Sequence, residues 1–276
     1  VYGGAGAQLH SEKRKEGGGM IRLEHLEKTF KPGTPDENRL FTGFDLTVAD
    51  GSFVSVVGSN GSGKTTMLNL ISGTLLPDSG RIYANQTDIT DWPEHKRARR
   101  IGRVFQDPAK GTCADLTILE NMALADNKGR AYSLGRAISP KRREYYQELL
   151  SRCHMGLEGR LGVAVGSLSG GQRQALALVI ATMNDIDLLL LDEHTAALDP
   201  KSSETVMELT GQLVAEKGVT TLMVTHNLRF AVEYGDRLLM MHQGQAVLDL
   251  AGDAKRQATV EQLLEQFNTI SIECGN

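Results

Sequence analysis

The run Gly58-Ser59-Asn60-Gly61-Ser62-Gly63-Lys64-Thr65 has the spacing of a phosphate-binding loop: Gly58 and Gly63 frame the loop, and Lys and Thr follow. Glycines at those positions let successive backbone N–H groups turn toward nucleotide phosphates, and a helix starting just after them aims its positive end at the same point. Lys64 is then placed to neutralise the β- and γ-phosphates, and Thr65 to ligate Mg²⁺. The context fits: a β-branched run, Phe53 to Val57, precedes the loop, and an apolar helix over Thr66 to Ser72 is expected after it.

A second group lies far downstream. Leu188 to Leu191 reads as a buried strand that ends in two carboxylates, Asp192 and Glu193. Alone, the pair would pass for a polar strand end or a helix cap. With a phosphate loop upstream, Asp192 suits a Mg²⁺ shell, and Glu193 is placed to orient or deprotonate an attacking water. A third group, Leu168-Ser169-Gly170-Gly171-Gln172, sets a hydroxyl and unhindered N–H groups at the start of an expected helix. It reads as a second anion site, or, taken as a pentapeptide alone, as a helix cap.

Together these motifs resemble the ATP-binding cassette (ABC) ATPases, whose signature motif is the one at Leu168 to Gln172; the likeness runs from about Met20 to about Ala251. The resemblance implies an α/β fold: a P-loop NTPase (RecA-like) core with an N-terminal antiparallel β subdomain and an inserted α-helical subdomain. It implies ATP and Mg²⁺ as cofactors. Thr66 joins the loop residues Gly58, Ser59, Asn60, Gly61, Ser62, Gly63, Lys64 and Thr65 around ATP, and Phe30 looks like the aromatic that stacks on adenine, with a core aromatic closing the first strand as the alternative by position alone. Gln106 resembles the glutamine that touches Mg²⁺ and the attacking water, so that Thr65, Gln106 and Asp192 form the metal set. His226 resembles the histidine that bonds the γ-phosphate and positions Glu193; catalysis then falls to Glu193, His226, Gln106 and Lys64. Ser169, Gly170, Gly171 and Gln172, with Asp199 in Ala197-Leu198-Asp199, resemble the parts that meet the nucleotide and the body of a second copy. His194, directly after Glu193, departs from the small residue or proline common there, and adds a titratable neighbour to the presumed base. The stretches from Asp192 to Pro200 and from Gln106 to Thr112 are similar to bacterial ATPases of amino-acid importers of the tryptophan or tyrosine type.

These groups need a scaffold, and the rest of the chain supplies one. The 276 residues are 40% hydrophobic and 23% charged, ordinary values for a folded protein with a sizeable core. Apolar/polar alternation over Ile21 to Leu26 and Phe44 to Val48 predicts half-buried strands, with Asp50-Gly51 as a hairpin turn. Helices are expected over Thr117 to Ala125, Lys141 to Cys153, Gln172 to Met183 and Lys201 to Glu216, and strands over Thr220 to Thr225 and Arg237 to His242. That alternation indicates a parallel sheet. Thr259 and Gln262 predict a capping box on a last helix reaching about Phe267. Residues 1–19, rich in glycine and charge, read as a leader outside the fold; residues 20–276 read as one ATPase domain whose helical subdomain spans about 107–166. The basic run Lys96, Arg97, Arg99, Arg100 and Arg103 reads as a solvated face beside the helical subdomain, or else as a contact for a partner or an acidic membrane surface.

Composition also excludes. A net charge of -4 and 5% aromatics give no basic face or stacking platform for nucleic acid, so none is expected as a partner. Cys113, Cys153 and Cys274, odd in number and far apart, indicate a reducing compartment. The longest uncharged apolar stretch, Ala175 to Met183, is far short of the ~18–20 residues a membrane span needs, so a membrane-spanning partner would have to be another subunit. Kinases and GTPases lack the signature motif. A chromosome-maintenance ATPase would break the cassette with a long coiled coil, and a translation factor would carry two cassettes. The reading is therefore the ATPase subunit of an ABC transporter, an importer in preference to an exporter or lipoprotein-releasing complex. Its expected partners are a second copy, an integral membrane permease docked near Gly111 to Thr117, and an extracytoplasmic substrate-binding protein. Its expected place is the cytoplasmic face of the membrane.

Overall fold

The computed structural model describes residues 20–128 and 140–273; the expected leader and Cys274 lie outside them. The chain opens with two long strands, β1 (Ile21–Phe30) and β2 (Asn38–Val48), then β3 (Phe53–Gly58), α1 (Lys64–Ser72), β4 (Ser79–Ala84) and β5 (Thr87–Asp88). Next come α2 (Glu94–Arg97), β6 (Ile101–Val104), α3 (Ile118–Asp126), α4 (Pro140–Ser151), α5 (Gly170–Thr182), β7 (Leu188–Asp192) and α6 (Pro200–Lys217). The last elements are β8 (Thr220–Val224), α7 (Leu228–Glu233), β9 (Arg237–His242), β10 (Gln245–Ala251), α8 (Gly252–Arg256) and α9 (Val260–Glu273).

Two sheets result. β2-β1-β4-β5 is antiparallel, and β10-β9-β3-β8-β7-β6 is parallel except for the antiparallel edge strand β10. The central strand β7 shows how sequence creates the layers. Its leucines alternate between two cores: Leu188 and Leu190 pack with α1 and the antiparallel sheet, while Leu189 and Leu191 pack with α5 and α6. A strand apolar at every position is thus buried on both faces, as a parallel sheet covered by helices requires. Parity then places Asp192 on the α1 face, directly across from the phosphate loop.

The same alternation runs through β6, which pairs with β7 in the register Arg103↔Leu190. Ile101 enters the α1-side core and Val104 the opposite one, so Arg103 also points toward α1. Beyond β6, helix α3 starts with a capping box between Thr117 and Glu120. It is tied to α4 through Asp126, which accepts from the buried Tyr146 hydroxyl at 2.8 Å and from Arg142 at 2.6 Å. These helices form the inserted helical subdomain.

Three expectations change. Asp50-Gly51 does turn the chain, with Gly51 at φ 72, but β2 and β3 belong to different sheets, so the turn carries the chain between layers and makes no hairpin. The basic run is only partly a solvated face: Lys96, Arg99 and Arg100 are exposed, but Arg97 and Arg103 are not. Arg97 is 2% exposed and donates to the carbonyls of Leu70, Ile71, Thr90 and Trp92, which satisfies the C-terminal end of α1. Arg100 pairs with Asp185 and Asp187, and Arg103 is buried against Asp192. The last helix carries the expected capping box, Thr259 with Gln262, and continues to Glu273. Strands β4, β5, β6 and β10 were not expected: β5 is two polar residues, β4 and β6 each carry a glycine, and β10 is an edge strand that leaves most of its residues exposed.

Candidate active site

The phosphate loop lies between β3 and α1, and two of its glycines are required by geometry. Gly58 has φ 156, and a Cβ there would collide with the Met241 carbonyl; Gly63 has φ 103, and a Cβ would meet the Phe41 ring at 3.0 Å. Gly63 is the residue before α1 and supplies no side-chain cap, so the first N–H groups of the helix remain available to an anion. Lys64, 5% exposed, reaches back over the loop and donates to the carbonyls of Gly58 and Ser59, each at 2.8 Å. Burial lowers its pKa, while Glu193 and Asp192 pull it back up. An ammonium held in this way by loop oxygens, the two carbonyls and the Ser62 hydroxyl at 3.5 Å, is suited to a polyphosphate.

A cleft of about 260 Å³ opens over the loop, lined by Phe30, Asn60 through Thr66, and Glu193. Asn38 and Leu40 complete its wall, and sequence reasoning missed them. Their signal was the cross-strand pair Phe30↔Asn38, which only the β1–β2 register reveals. Behind the cleft, the Thr65 hydroxyl donates to Asp192 Oδ1 at 3.1 Å. Glu193 follows with φ 49, a left-handed backbone that a non-glycine residue adopts at a cost of about 1–3 kcal/mol. This turn carries its side chain away from the strand and onto His226, whose Nε2 lies 2.7 Å from Glu193 Oε1. Asp192 and Glu193, adjacent in sequence, therefore face different groups.

Other candidates stand apart. Gln106 is exposed just beyond β6, and Ser169 to Gln172 open α5. The Ser169 hydroxyl accepts from the Gln172 N–H at 3.2 Å and the Gln172 side chain accepts from the Ser169 N–H at 3.2 Å, a complete capping box. Asp199 caps α6 by accepting from the Ser202 N–H at 3.0 Å. None of Gln106, Ser169 to Gln172 and Asp199 lines the cleft over the phosphate loop. One chain holds the loop, the two carboxylates and the histidine together, and holds the signature residues elsewhere.

His194 turns away from Glu193. It is 2% exposed, and its Nε2 lies 3.1 Å from Thr210 Oγ1. That hydroxyl already gives its proton to the Val206 carbonyl at 2.7 Å, so His194 must be the donor through Nε2–H, with a neutral ring. Burial pushes its pKa down to about 4 from an ordinary 6.5. Between those values the unfolded chain binds a proton that the folded chain refuses. This contribution is absent above pH 6.5 and costs stability increasingly as pH falls toward 4, where it reaches on the order of 3 kcal/mol. His194→Gln is expected to flatten that acid-side loss in denaturant unfolding, and equal slopes for both proteins between pH 6.5 and 4 would contradict it.

The family model described as ABC transporter matches residues 41–196. The chain belongs to the ABC transporter family. It is 46% identical over 248 residues to the Tyrosine transport ATP-binding protein of Clostridioides difficile (strain R20291), covering 90% of this chain and 98% of that one. It is 36% identical to Lipoprotein-releasing system ATP-binding protein LolD 1 of Caulobacter vibrioides (80% and 92% covered) and 33% identical to the Phosphonates import ATP-binding protein PhnC of Alcaligenes faecalis (83% and 82%). Among solved structures it is similar to the ATP-binding cassette MJ0796, seen as a dimer in a post-hydrolysis state bound to ADP and Pi. That similarity has a TM-score of 0.72 at 32% identity, covering 84% of this chain and 98% of that one. This ABC ATPase is thus an ATP-binding and ATP-hydrolysing transport subunit with a P-loop NTPase core, and among its described residues no helix is long and apolar enough to cross a membrane.

Proposed function

We propose that this ABC ATPase powers the import of an amino acid or related small solute, working as a pair of copies on the cytoplasmic face of a membrane permease. The observation that carries the substrate class is the 46% identity to a tyrosine transport ATP-binding protein along 98% of its length, well above the identity to lipoprotein-releasing or phosphonate relatives. The reading takes residues 20–276 as the ATPase domain, 107–166 as its moving helical part, and an extracytoplasmic substrate-binding protein as a further partner.

In this reading ATP lies over the phosphate loop with its adenine on Phe30. Mg²⁺ suits the residues present. Among the described residues no cluster of three or more His, Cys, Asp or Glu side chains forms a metal cage, whereas Thr65 and Asp192 face each other at the loop. Mg²⁺ needs only one or two protein ligands, and when bound it would supply charge that offsets that of the phosphates. Thr65 and Asp192 would hold it, with Gln106 joining once its loop closes. Glu193 accepts a proton from the attacking water, and His226 keeps that carboxylate in place while donating toward the γ-phosphate. Ser169 to Gly171 would complete the site of the second copy. Support for this comes from the absence of these residues from their own chain's cleft.

The permease surface is assigned to a groove of about 330 Å³ near the expected face, reaching Gly111 but floored by Ala98, Phe105 and Ile180 and edged by Glu94 and Arg99. Of the stretch Gly111 to Thr117, Gly111 alone lines it. Ala98→Glu is expected to leave nucleotide binding intact and to reduce copurification with the permease by tenfold or more, about 1.4 kcal/mol. The function itself is tested by reconstituting the ATPase with its permease and binding protein in vesicles. ATP-dependent uptake of labelled tyrosine or tryptophan supports it; substrate movement outward, or none with these amino acids while a lipoprotein is released, overturns it.

A further inference from the structure

We propose that Arg103 is a positioning residue for the Asp192 carboxylate and that, by occupying one of its oxygens, it makes the site select Mg²⁺ over larger divalent cations. The inference rests on the reading of Asp192 as a metal-shell residue.

Arg103 Nη2 lies 3.0 Å from Asp192 Oδ2, and both side chains are only 10% exposed. The guanidinium is itself fixed. Nη2 also donates to Asn69 Oδ1 at 2.7 Å, Nη1 donates to Ser72 Oγ at 3.1 Å, and the carbon of the fork sits 4.6 Å from the centroid of the Phe105 ring. Asn69 and Ser72 belong to α1, the helix that begins at the phosphate loop. Oδ1 of the same carboxylate takes the Thr65 hydroxyl at 3.1 Å. Asp192 is therefore held from both sides: Thr65 at Oδ1, toward the nucleotide, and a planar cation at Oδ2, toward the sheet.

Such a grip has a chemical consequence. An ion pair with a rigid guanidinium is directional, so the carboxylate cannot rotate freely about its own axis. Only Oδ1 can turn toward a cation at Thr65. A single oxygen suits Mg²⁺, which needs a small octahedral shell and keeps several waters, whereas Ca²⁺ gathers six to eight oxygens and readily takes both oxygens of one carboxylate. Releasing Oδ2 would admit that second mode. A purely structural role, tying β6 to α1, would affect folding stability and leave the choice of cation unchanged.

The test uses the full chain and a fluorescent ATP analogue, titrated with Mg²⁺ or with Ca²⁺, and reads the ratio of the two half-saturating concentrations. Arg103→Met is expected to lower the Ca²⁺-to-Mg²⁺ ratio roughly fivefold or more, through tighter response to Ca²⁺, and Arg103→Lys, which keeps the charge but not the fork, to fall between. If Arg103→Met does not fold, as judged by circular dichroism, Asn69→Ala loosens the same guanidinium and should shift the ratio in the same direction by a smaller factor. An unchanged ratio in a folded Arg103→Met, or in Asn69→Ala when the first variant is lost, overturns the proposal. Asp192→Asn separates the two layers of the argument. It should lose most of the Mg²⁺ enhancement of nucleotide affinity; if it does not, the reading of Asp192 fails. If it does while the Arg103 variants keep the wild-type ratio, only the selectivity role fails.

Discussion

Lys64→Ala is expected to weaken ATP binding at least about a hundredfold. The ammonium is the one buried cation at the loop whose near partners are only loop oxygens: the Gly58 and Ser59 carbonyls at 2.8 Å, with the Ser62 hydroxyl at 3.5 Å. Two charge-assisted contacts to phosphate oxygens, at about 1.5–3 kcal/mol each, sum to at least about 3 kcal/mol, and every 1.4 kcal/mol is tenfold in affinity. The elements on either side should keep their shape, since Gly58 is paired with Met241 in the parallel sheet and α1 packs in the core, although the Gly58 and Ser59 carbonyls lose their ammonium donor. Equilibrium titration with a fluorescent nucleotide measures the loss, and circular dichroism should be unchanged. A variant that binds ATP within a few fold of wild type would remove Lys64 from the site.

Glu193→Gln separates binding from turnover. Its carboxylate is placed by two independent features, the left-handed backbone at φ 49 and the 2.7 Å contact with His226. Glutamine preserves the shape and a hydrogen bond to the imidazole but cannot accept a proton from water. Hydrolysis should fall by roughly 10² to 10⁴, the range for loss of a general base, while ATP affinity stays within a few fold. His226→Ala should also lower turnover with little change in binding, because it removes the 2.7 Å contact that steadies the Glu193 carboxylate. Near-normal ATPase rates in Glu193→Gln would transfer the base role to another group.

The parts of this site that are contiguous in the chain could be read without coordinates. The phosphate loop carries its geometry in its glycines, and β7 announces its burial through four consecutive leucines followed by two carboxylates. What the sequence does not carry is register. Arg103 meets Asp192 because β6 and β7 pair as Arg103↔Leu190, and two residues further along the same face lies the carboxylate. Asn38 joins the nucleotide cleft because β1 and β2 align Phe30 with it across several bulges. Two residues of the basic run depart from a solvated face for a related reason. Charge in sequence does not reveal which arginine has a buried carbonyl or carboxylate within reach, and Arg97 and Arg103 both do. His194 was legible as an unusual neighbour of Glu193, but the turn at Glu193 sends the two side chains in opposite directions, one to His226 and the other to Thr210.

The proposed site draws on two copies: in one chain the phosphate loop and Glu193 line one cleft, Asp192 joins it through Thr65 and His226 through Glu193, while Ser169 to Gln172 open a helix outside that cleft. Two copies placed head to tail would bring each signature segment to the other's nucleotide and bury two ATP molecules at a two-fold interface. Sedimentation of Glu193→Gln addresses this directly, since slow hydrolysis holds the ATP-bound state long enough to observe. The expected result is a dimer with ATP and Mg²⁺ and a monomer without nucleotide. A protein that binds ATP at saturation yet sediments as a monomer would contradict it.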